Sequence, residues 1–273
     1  GRAHGVRVRG AGRETTHQAR LVIAADGRRS AIAASQQLSA PARRPRRWAI
    51  GAYFADVEGT STVGEMHVRS GHYIGIAPVP GGLTNACLVV PHEPGDAPLA
   101  HPDAVLRDRL MADAELAPRF VCARVATRAV MLGPMAVDAR AAGQPGLLLA
   151  GDAAGVVAPA SGEGIYYAMA GGRLAADAVE ELLVTGNARC LANARKQFMK
   201  SHGKVFWVLG IMQHFWYSSD KRRERFVAMC RDKDVQKLTF DAYMNKELVR
   251  AKPMAHVKIF FKDMAHLLGL AKV

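Results

Sequence analysis

The sequence predicts a mixed α/β (α+β) fold, with an antiparallel β-rich segment set into an α/β framework and a helical region closing the chain. Three observations predict it. A wholly apolar run, LLLAG (147–151), leads through a glycine-rich loop into a long helical pattern. Four short β-rich runs separated by Gly and Pro fill residues 48–90. From about Leu191 onward the apolar residues recur at helical spacing, with Lys and Arg on the polar faces.

In chain order, GVRVRG (5–10) and HQARLVIAADG (17–27) predict two strands around a polar connection, the second ending at Asp26-Gly27. SAIAASQQL (30–38) predicts a short helix, and APARRPRR (40–47) a connector. WAIGAYFADV (48–57), GEMHVR (64–69), GHYIGIAPV (71–79) and LTNACLVV (83–90) predict one antiparallel sheet. HEPGDAPLAHP (92–102) reads as a loop and residues 103–121 as helical. VATRAVMLGPMAV (125–137) predicts one or two strands returning to the first region. LLLAG suits a strand covered on both faces. Ile165, Ala168, Met169, Gly172, Ala175, Ala176, Val179, Leu182 and Leu183 fall at three- and four-residue steps and predict a helix stopped at Gly186.

The 273 residues suffice for one large domain or two smaller ones. An excess of 37 Lys+Arg over 24 Asp+Glu gives a charge of +13, clustered at Arg43–Arg47 and Lys221–Arg225. That surplus favours phosphorylated ligands, acidic membranes or nucleic acid, and equally fits a solvated basic surface. Neither cluster interleaves with aromatics, so nucleic acid is not an expected partner. Cys87, Cys122, Cys190 and Cys230 form no C-x-x-C pair, which fits a reduced, cytoplasmic protein. Ten histidines include no zinc spacing, so no metal is expected. The apolar run Val205–Trp216 holds twelve residues, too short to span a bilayer.

The chemistry concentrates in LLLAGDAAGVVAPASGEGIYYAM (147–169). A helix beginning after such a loop presents unpaired amides and a positive dipole end to an anion or a carbonyl. Asp152 can accept hydrogen bonds from sugar-like hydroxyls, and Gly162 and Gly164 let a flat ring approach the backbone. Glu163 suits the dipole at the helix start.

The string G-D-A-A-G, Pro159, G-E-G-I resembles the second flavin-binding motif of the FAD-dependent oxidoreductases of the p-hydroxybenzoate hydroxylase and geranylgeranyl reductase group. LVIAADGRRSAIA (21–33) resembles the same group's Asp-Gly motif, and the tail from Arg222 to Val249 resembles the geranylgeranyl reductases of chlorophyll and bacteriochlorophyll synthesis. The resemblance implies FAD as cofactor and NAD(P)H as hydride donor. It places Asp26, Gly27, Ser30, Gly151, Asp152, Ala153, Ala154, Pro159, Gly162, Glu163, Gly164 and Ile165 at the cofactor, with Asp152 on the ribityl chain. It sets a looser match, with His72, Tyr73, Ile76 and Pro78, at the substrate. His72, Tyr73 and Glu163 are candidate acids by location alone.

By this resemblance, residues 1–40 and 130–190 form a partial FAD-binding, Rossmann-like domain, 45–129 a β-rich substrate domain and 191–273 a helical C-terminal region. No G-x-G-x-x-G seat for a pyrophosphate occurs in the sequence. The chain is therefore expected to be a fragment that binds FAD poorly, is colourless when purified, and is inactive alone. The implied activity is reduction of isoprenoid double bonds on a hydrophobic small molecule, with the basic tail resting on the inner membrane. The alternatives are a flavin monooxygenase or halogenase-like enzyme acting on an aromatic or polyketide, and a non-catalytic basic binding module.

Overall fold

The computed structural model describes residues 1–41, 47–91, 101–135, 137–155, 162–229, 231–233, 236–237, 261 and 265. In chain order the strands and helices begin with β1 (Gly5–Gly10), β2 (Arg13–Gln18), β3 (Val22–Ala24), α1 (Ala31–Ser35) and β4 (Ser39–Pro41). The middle of the chain supplies β5 (Arg47–Ala55), β6 (Glu65–Val68), β7 (Tyr73–Val79), β8 (Leu83–Pro91), α2 (Pro102–Ala112) and α3 (Ala117–Phe120). Then come β9 (Arg124–Val125), β10 (Val130–Leu132), β11 (Val137–Ala139), β12 (Gly143–Gln144) and β13 (Leu147–Leu149). After a 3-10 turn at Gly151–Ala154 the helices α4 (Gly164–Thr185), α5 (Arg189–Ser218) and α6 (Asp220–Met229) follow. The expected mixed α/β class holds. Of the tail resembling the reductases, residues beyond α6 lie almost wholly outside the described set, as does Pro159.

Two compact units divide the chain, one from Gly1–Arg43 and Ala136–Gly210, the other from Arg44–Met135 and Ile211–Gln236. In the first, β13 pairs in parallel with β3 and antiparallel with β12. The register Leu147↔Val22, Leu148↔Ile23, Leu149↔Ala24 brings the carboxyl ends of β13 and β3 level. All three leucines of β13 are buried, as a strand covered on both faces requires. The expected single strand over 17–27 is corrected: Arg13–Gln18 pairs with β1 as a hairpin turning at Ala11-Gly12, and β3 is separate. Every residue of β2 is exposed, so no apolar alternation marks it in the sequence.

Helix α4 ends where expected, at Gly186 in a left-handed conformation (φ 73°) whose N–H bonds Leu182 O. Its buried face matches the expected one at Ala175 and Val179, which pack with Leu148 and Ala150, and departs from it elsewhere. Tyr167, Ala175 and Ala178 are buried, whereas Ile165 and Met169 are 79% and 72% exposed. Tyr167 packs with Phe198 and Val205 of α5, and a Cβ on Gly171 would sit 3.6 Å from the Phe198 ring. That close approach fixes which side of α4 meets α5.

The second unit is a six-stranded antiparallel sheet in the order β10-β5-β8-β7-β6, with β9 also on β5. Strands β9 and β10 thus join β5 rather than returning to the first unit; only β11 returns, pairing with β4. Ile50, Phe54, Ile74, Ile76, Ala86 and Leu88 form one sheet face and pack under Leu106, Leu110, Leu116 and Phe120 of the α2–α3 segment. The predicted helix over 103–121 breaks at Asp113, whose Oδ1 accepts the N–H groups of Glu115 (3.0 Å) and Leu116 (3.2 Å).

A charged clasp ties this segment to the edge strand β6. Arg119 forks onto both oxygens of Glu65 at 2.7 and 2.9 Å. Arg69 forks onto Asp113 at 2.8 and 3.2 Å and reaches Glu115 at 2.8 Å, while His67 bridges Glu65 and Glu115. The Arg119 hydrogen bonds, outweighing burial, hold the Glu65 carboxyl down at about 2. Burial raises Asp113, but Arg69 and the two amides draw it below the usual range. A depressed carboxyl stabilises the fold above its unfolded pKa and loses that stability as pH falls through the folded value. Glu65 should therefore contribute about 2 kcal/mol after solvent screening, lost between its ordinary range and pH of about 2. Urea denaturation across that window should show a shallower loss for Glu65→Gln than for the parent; parallel losses would refute the assignment.

Candidate functional site

Because β3 and β13 run parallel in level register, the turns after them emerge side by side. The Ala150 N–H donates to Ala24 O at 2.9 Å, locking the two exits together. One exit carries Asp26 and Gly27, the other Gly151 and Asp152. Carboxyl ends of parallel strands are where open α/β sheets place their ligands.

Asp152 is half-buried, and burial raises its carboxyl above the ordinary range while Arg28 pulls the other way. Arg28 is itself lowered by burial and by Arg29, with Asp152 opposing. The two sequence motifs thus meet through an Asp152–Arg28 charge interaction. Arg28 was not among the expected site residues. The signal was present in the sequence as a cation directly after Asp-Gly, yet nothing local says it faces a carboxylate more than a hundred residues on.

The other expected residues divide by what they touch. Ser30 is buried and its Oγ accepts the Ala33 N–H at 2.9 Å, capping α1. Ala153 is 1% exposed, so its side chain belongs to the core. Glu163 occupies the N-cap position of α4, Gly164 opens the helix and Ile165 projects into solvent. Among the described residues, a Cβ added to Gly27 or Gly162 would meet nothing within 4 Å, and one on Gly164 would find only Asp152 Oδ1 at 4.0 Å. The backbone at these glycines is bare and open, beside a carboxylate and at the positive end of a 22-residue helix. FAD fits this cradle: a planar ring needs bare backbone, a polyol chain needs an acceptor such as Asp152, and charge on the ring's pyrimidine edge suits a helix start.

The expected substrate residues lie in the second unit and do not share a face. Ile76 is 1% exposed and committed to the core beneath the α2–α3 segment. Tyr73, at odd register on β7, points to the opposite side and is 7% exposed. Pro78 is exposed. His72 lies 3.1 Å from Ser70 O through Nδ1, which therefore carries the proton. Burial lowers His72, and Arg109 and Arg69 add to the effect. A neutral imidazole with its free lone pair on Nε2 accepts protons at neutral pH and does not supply them.

Parallel-strand exits with a Gly-Asp turn and a glycine-opened helix define a dinucleotide-cofactor protein. The sequence matches the FAD binding domain family over residues 2–197, and the chain belongs to that family. Among its relatives, it is similar to the geranylgeranyl diphosphate reductase of Rhodobacter capsulatus, 57% identical over 124 residues, covering 45% of this chain and 32% of the relative. The Synechocystis protein of the same name is 43% identical over 124 residues, 44% and 30% of the two chains. The matches thus span about a third of these relatives' lengths. Among solved structures, flavin-dependent brominase Bmp2 superposes with a TM-score of 0.75 at 17% identity, covering 89% of this chain and 61% of the brominase. A geranylgeranyl bacteriochlorophyll reductase-like protein from Thermoplasma acidophilum gives 0.64 at 19% identity, covering 95% and 63%. At these identities the structures establish the fold.

Proposed function

We propose that this chain is the ring-contacting part of an FAD-dependent reductase that saturates carbon–carbon double bonds of a geranylgeranyl-type isoprenoid, with NAD(P)H as hydride source. The observation that carries this reading is the sequence likeness to relatives named geranylgeranyl diphosphate reductase. When bound, FAD supplies a ring that accepts hydride from NAD(P)H and delivers it to an alkene.

The chain's own residues hold and tune. Asp152 accepts hydroxyl hydrogen bonds of the polyol, and its raised pKa sets the pH below which that acceptor is lost. Arg28 supplies positive charge for the anionic part of the cofactor. The amides at the start of α4 stabilise negative charge on the reduced cofactor's edge. His72, held neutral, is unsuited to proton donation, leaving Tyr73 and Glu163 as candidate acids. No described helix is long and apolar enough to cross a membrane. A cytoplasmic protein whose basic helical tail rests on the membrane surface would meet a prenyl substrate there.

The test is anaerobic turnover of geranylgeranyl diphosphate with FAD and NADPH, with this chain in frame behind the G-x-G-x-x-G unit that it lacks. Products should gain two hydrogens for each double bond reduced. Oxygen-dependent hydroxylation or halogenation with no anaerobic product would replace the reductase reading with the monooxygenase one.

A further inference from the structure

The turn between β3 and α1 carries two cations in succession, Arg28 and Arg29, and they stand in different surroundings. Gly27 takes a left-handed conformation (φ 81°), and the Ser30 N–H donates to Gly27 O at 3.0 Å, which closes the turn. Arg28 and Arg29 are its two central residues; Arg28 is half-buried and Arg29 exposed. Burial and the Arg29 charge both disfavour the Arg28 guanidinium, and Asp152 opposes them. A cation drawn partly out of water beside a second cation needs such a partner.

Asp152 has the complementary need. Its backbone carbonyl accepts the Gly155 N–H at 3.0 Å, closing the Gly-Asp turn, while burial works against the charge on its carboxyl. Several charged residues lie close by. Asp26 and Arg29 share the first turn, Glu163 is the N-cap of α4, and Asp138 and Arg140 lie on and just after β11, which packs beside the Gly151–Ala154 turn. Among the described residues it is Arg28 that offsets the burial of Asp152. The level register of β3 and β13 and the Ala150 N–H bond to Ala24 O make this pairing possible, because they hold the two exits side by side.

We propose that Arg28 is a positioning residue for the cofactor: it supplies the counter-charge of Asp152, so that the Asp-Gly turn maintains the hydrogen-bond acceptor of the Gly-Asp turn. An ionised carboxylate only accepts hydrogen bonds, whereas a protonated one carries a donor on one oxygen and loses the charge-assisted strength of its bonds. Left to burial alone, Asp152 would take up its proton nearer neutral pH and cease to suit a polyol there. This role is separate from any contact that Arg28 makes with a cofactor phosphate. It rests on the reading of Asp152 as the polyol acceptor; the Arg28–Asp152 coupling itself does not.

The experiment has two parts, both on the 273-residue chain. Carbon-13 NMR of the flavin-free chain follows the Asp152 carboxyl through an acid titration, the signal being assigned by its loss in Asp152→Asn. Arg28→Gln should move that titration upward by about one pH unit, and Arg28→Lys should restore most of the shift. Arg29→Gln removes a like charge from the same turn and should move it far less. The second part titrates riboflavin, which has the polyol and no phosphate, by fluorescence quenching over the same pH series, with FAD in parallel. The acid-side loss of riboflavin affinity should shift upward in Arg28→Gln and return in Arg28→Lys, and urea melts confirm that the variants fold. A carboxyl unmoved by Arg28→Gln, or moved equally by Arg29→Gln, would overturn the proposal. So would an Arg28→Gln loss that is uniform in pH for FAD and absent for riboflavin, since Arg28 would then be a phosphate contact only. A shifted carboxyl beside riboflavin affinity that is flat in pH would refute the polyol reading of Asp152, and with it the role given to Arg28.

Discussion

Tyr167→Ala should lower the stability of the first unit by about 3–5 kcal/mol, whereas Tyr167→Phe should raise it by about 1 kcal/mol. Tyr167 is fully buried. Its ring lies 4.6 Å from Phe206, 5.4 Å from His202 and 6.4 Å from Phe198, centroid to centroid. Truncation would leave a ring-sized cavity between α4 and α5, where rigid helix backbones can close it only in part. The hydroxyl works in the opposite sense. Tyr167 Oη is buried without a hydrogen-bond partner among the described residues, as is His202 Nδ1. Burial pushes the phenol up to about 12 and lowers His202, so both stay neutral at pH 7. Neither offers the other a charge that would offset the desolvation of its polar atom. Removing the hydroxyl deletes an unmet polar group and leaves the ring packing intact. Thermal and urea denaturation followed by circular dichroism measure both changes. A Phe substitution that destabilises would mean that Oη is hydrogen-bonded in solution, through a water shared with His202.

What the sequence revealed depended on whether the physics was local. The 147–186 segment was legible because each signal sits within a few residues of its effect: an apolar run, a Gly-Asp turn, a helical period, a stop at Gly186. The four strands of the second unit were legible for the same reason. Hairpin strand β2 was not, since RETTHQ is solvated on both faces and leaves no alternation. Nor was the attachment of β9 and β10 to β5, which is a choice of distant partner. On α4 the period was correct, and its phase held at Ala175 and Val179 but not in the first turns. Ile165, Tyr166, Tyr167 and Met169 are all apolar or aromatic, and only the position of α5 selects Tyr167 for burial and leaves Ile165 and Met169 in solvent. In the site, Gly162 and Gly164 were legible because bare backbone is a property of one residue. The Arg28–Asp152 approach was not, because it exists only once β3 and β13 lie side by side.

Gly164→Val should weaken FAD binding by about a hundredfold or more, measured as quenching of flavin fluorescence on titration. The glycine opens α4, and among the described residues the space above it is empty to 4.0 Å, where Asp152 Oδ1 stands. A branched side chain there would fill the room a ring needs and crowd the carboxylate. It would leave the helix itself intact, because Gly164 does not require a positive φ. Gly162 differs: at φ 69° it is in the left-handed region, so a substitution strains the backbone as well as filling space. The comparison therefore separates two causes. Gly164→Val should lose FAD while keeping the parent's urea midpoint, and Gly162→Val should lose both. Asp152→Asn keeps the shape and removes the charge, so about a tenfold loss is expected. It should also abolish any fall in affinity on acidification, a fall set by a carboxyl that burial holds above the ordinary range. The variants are judged as ratios to the parent's own affinity. Undiminished binding by Gly164→Val would place the ring elsewhere, and the cradle at the start of α4 would then be only a turn between a strand and a helix.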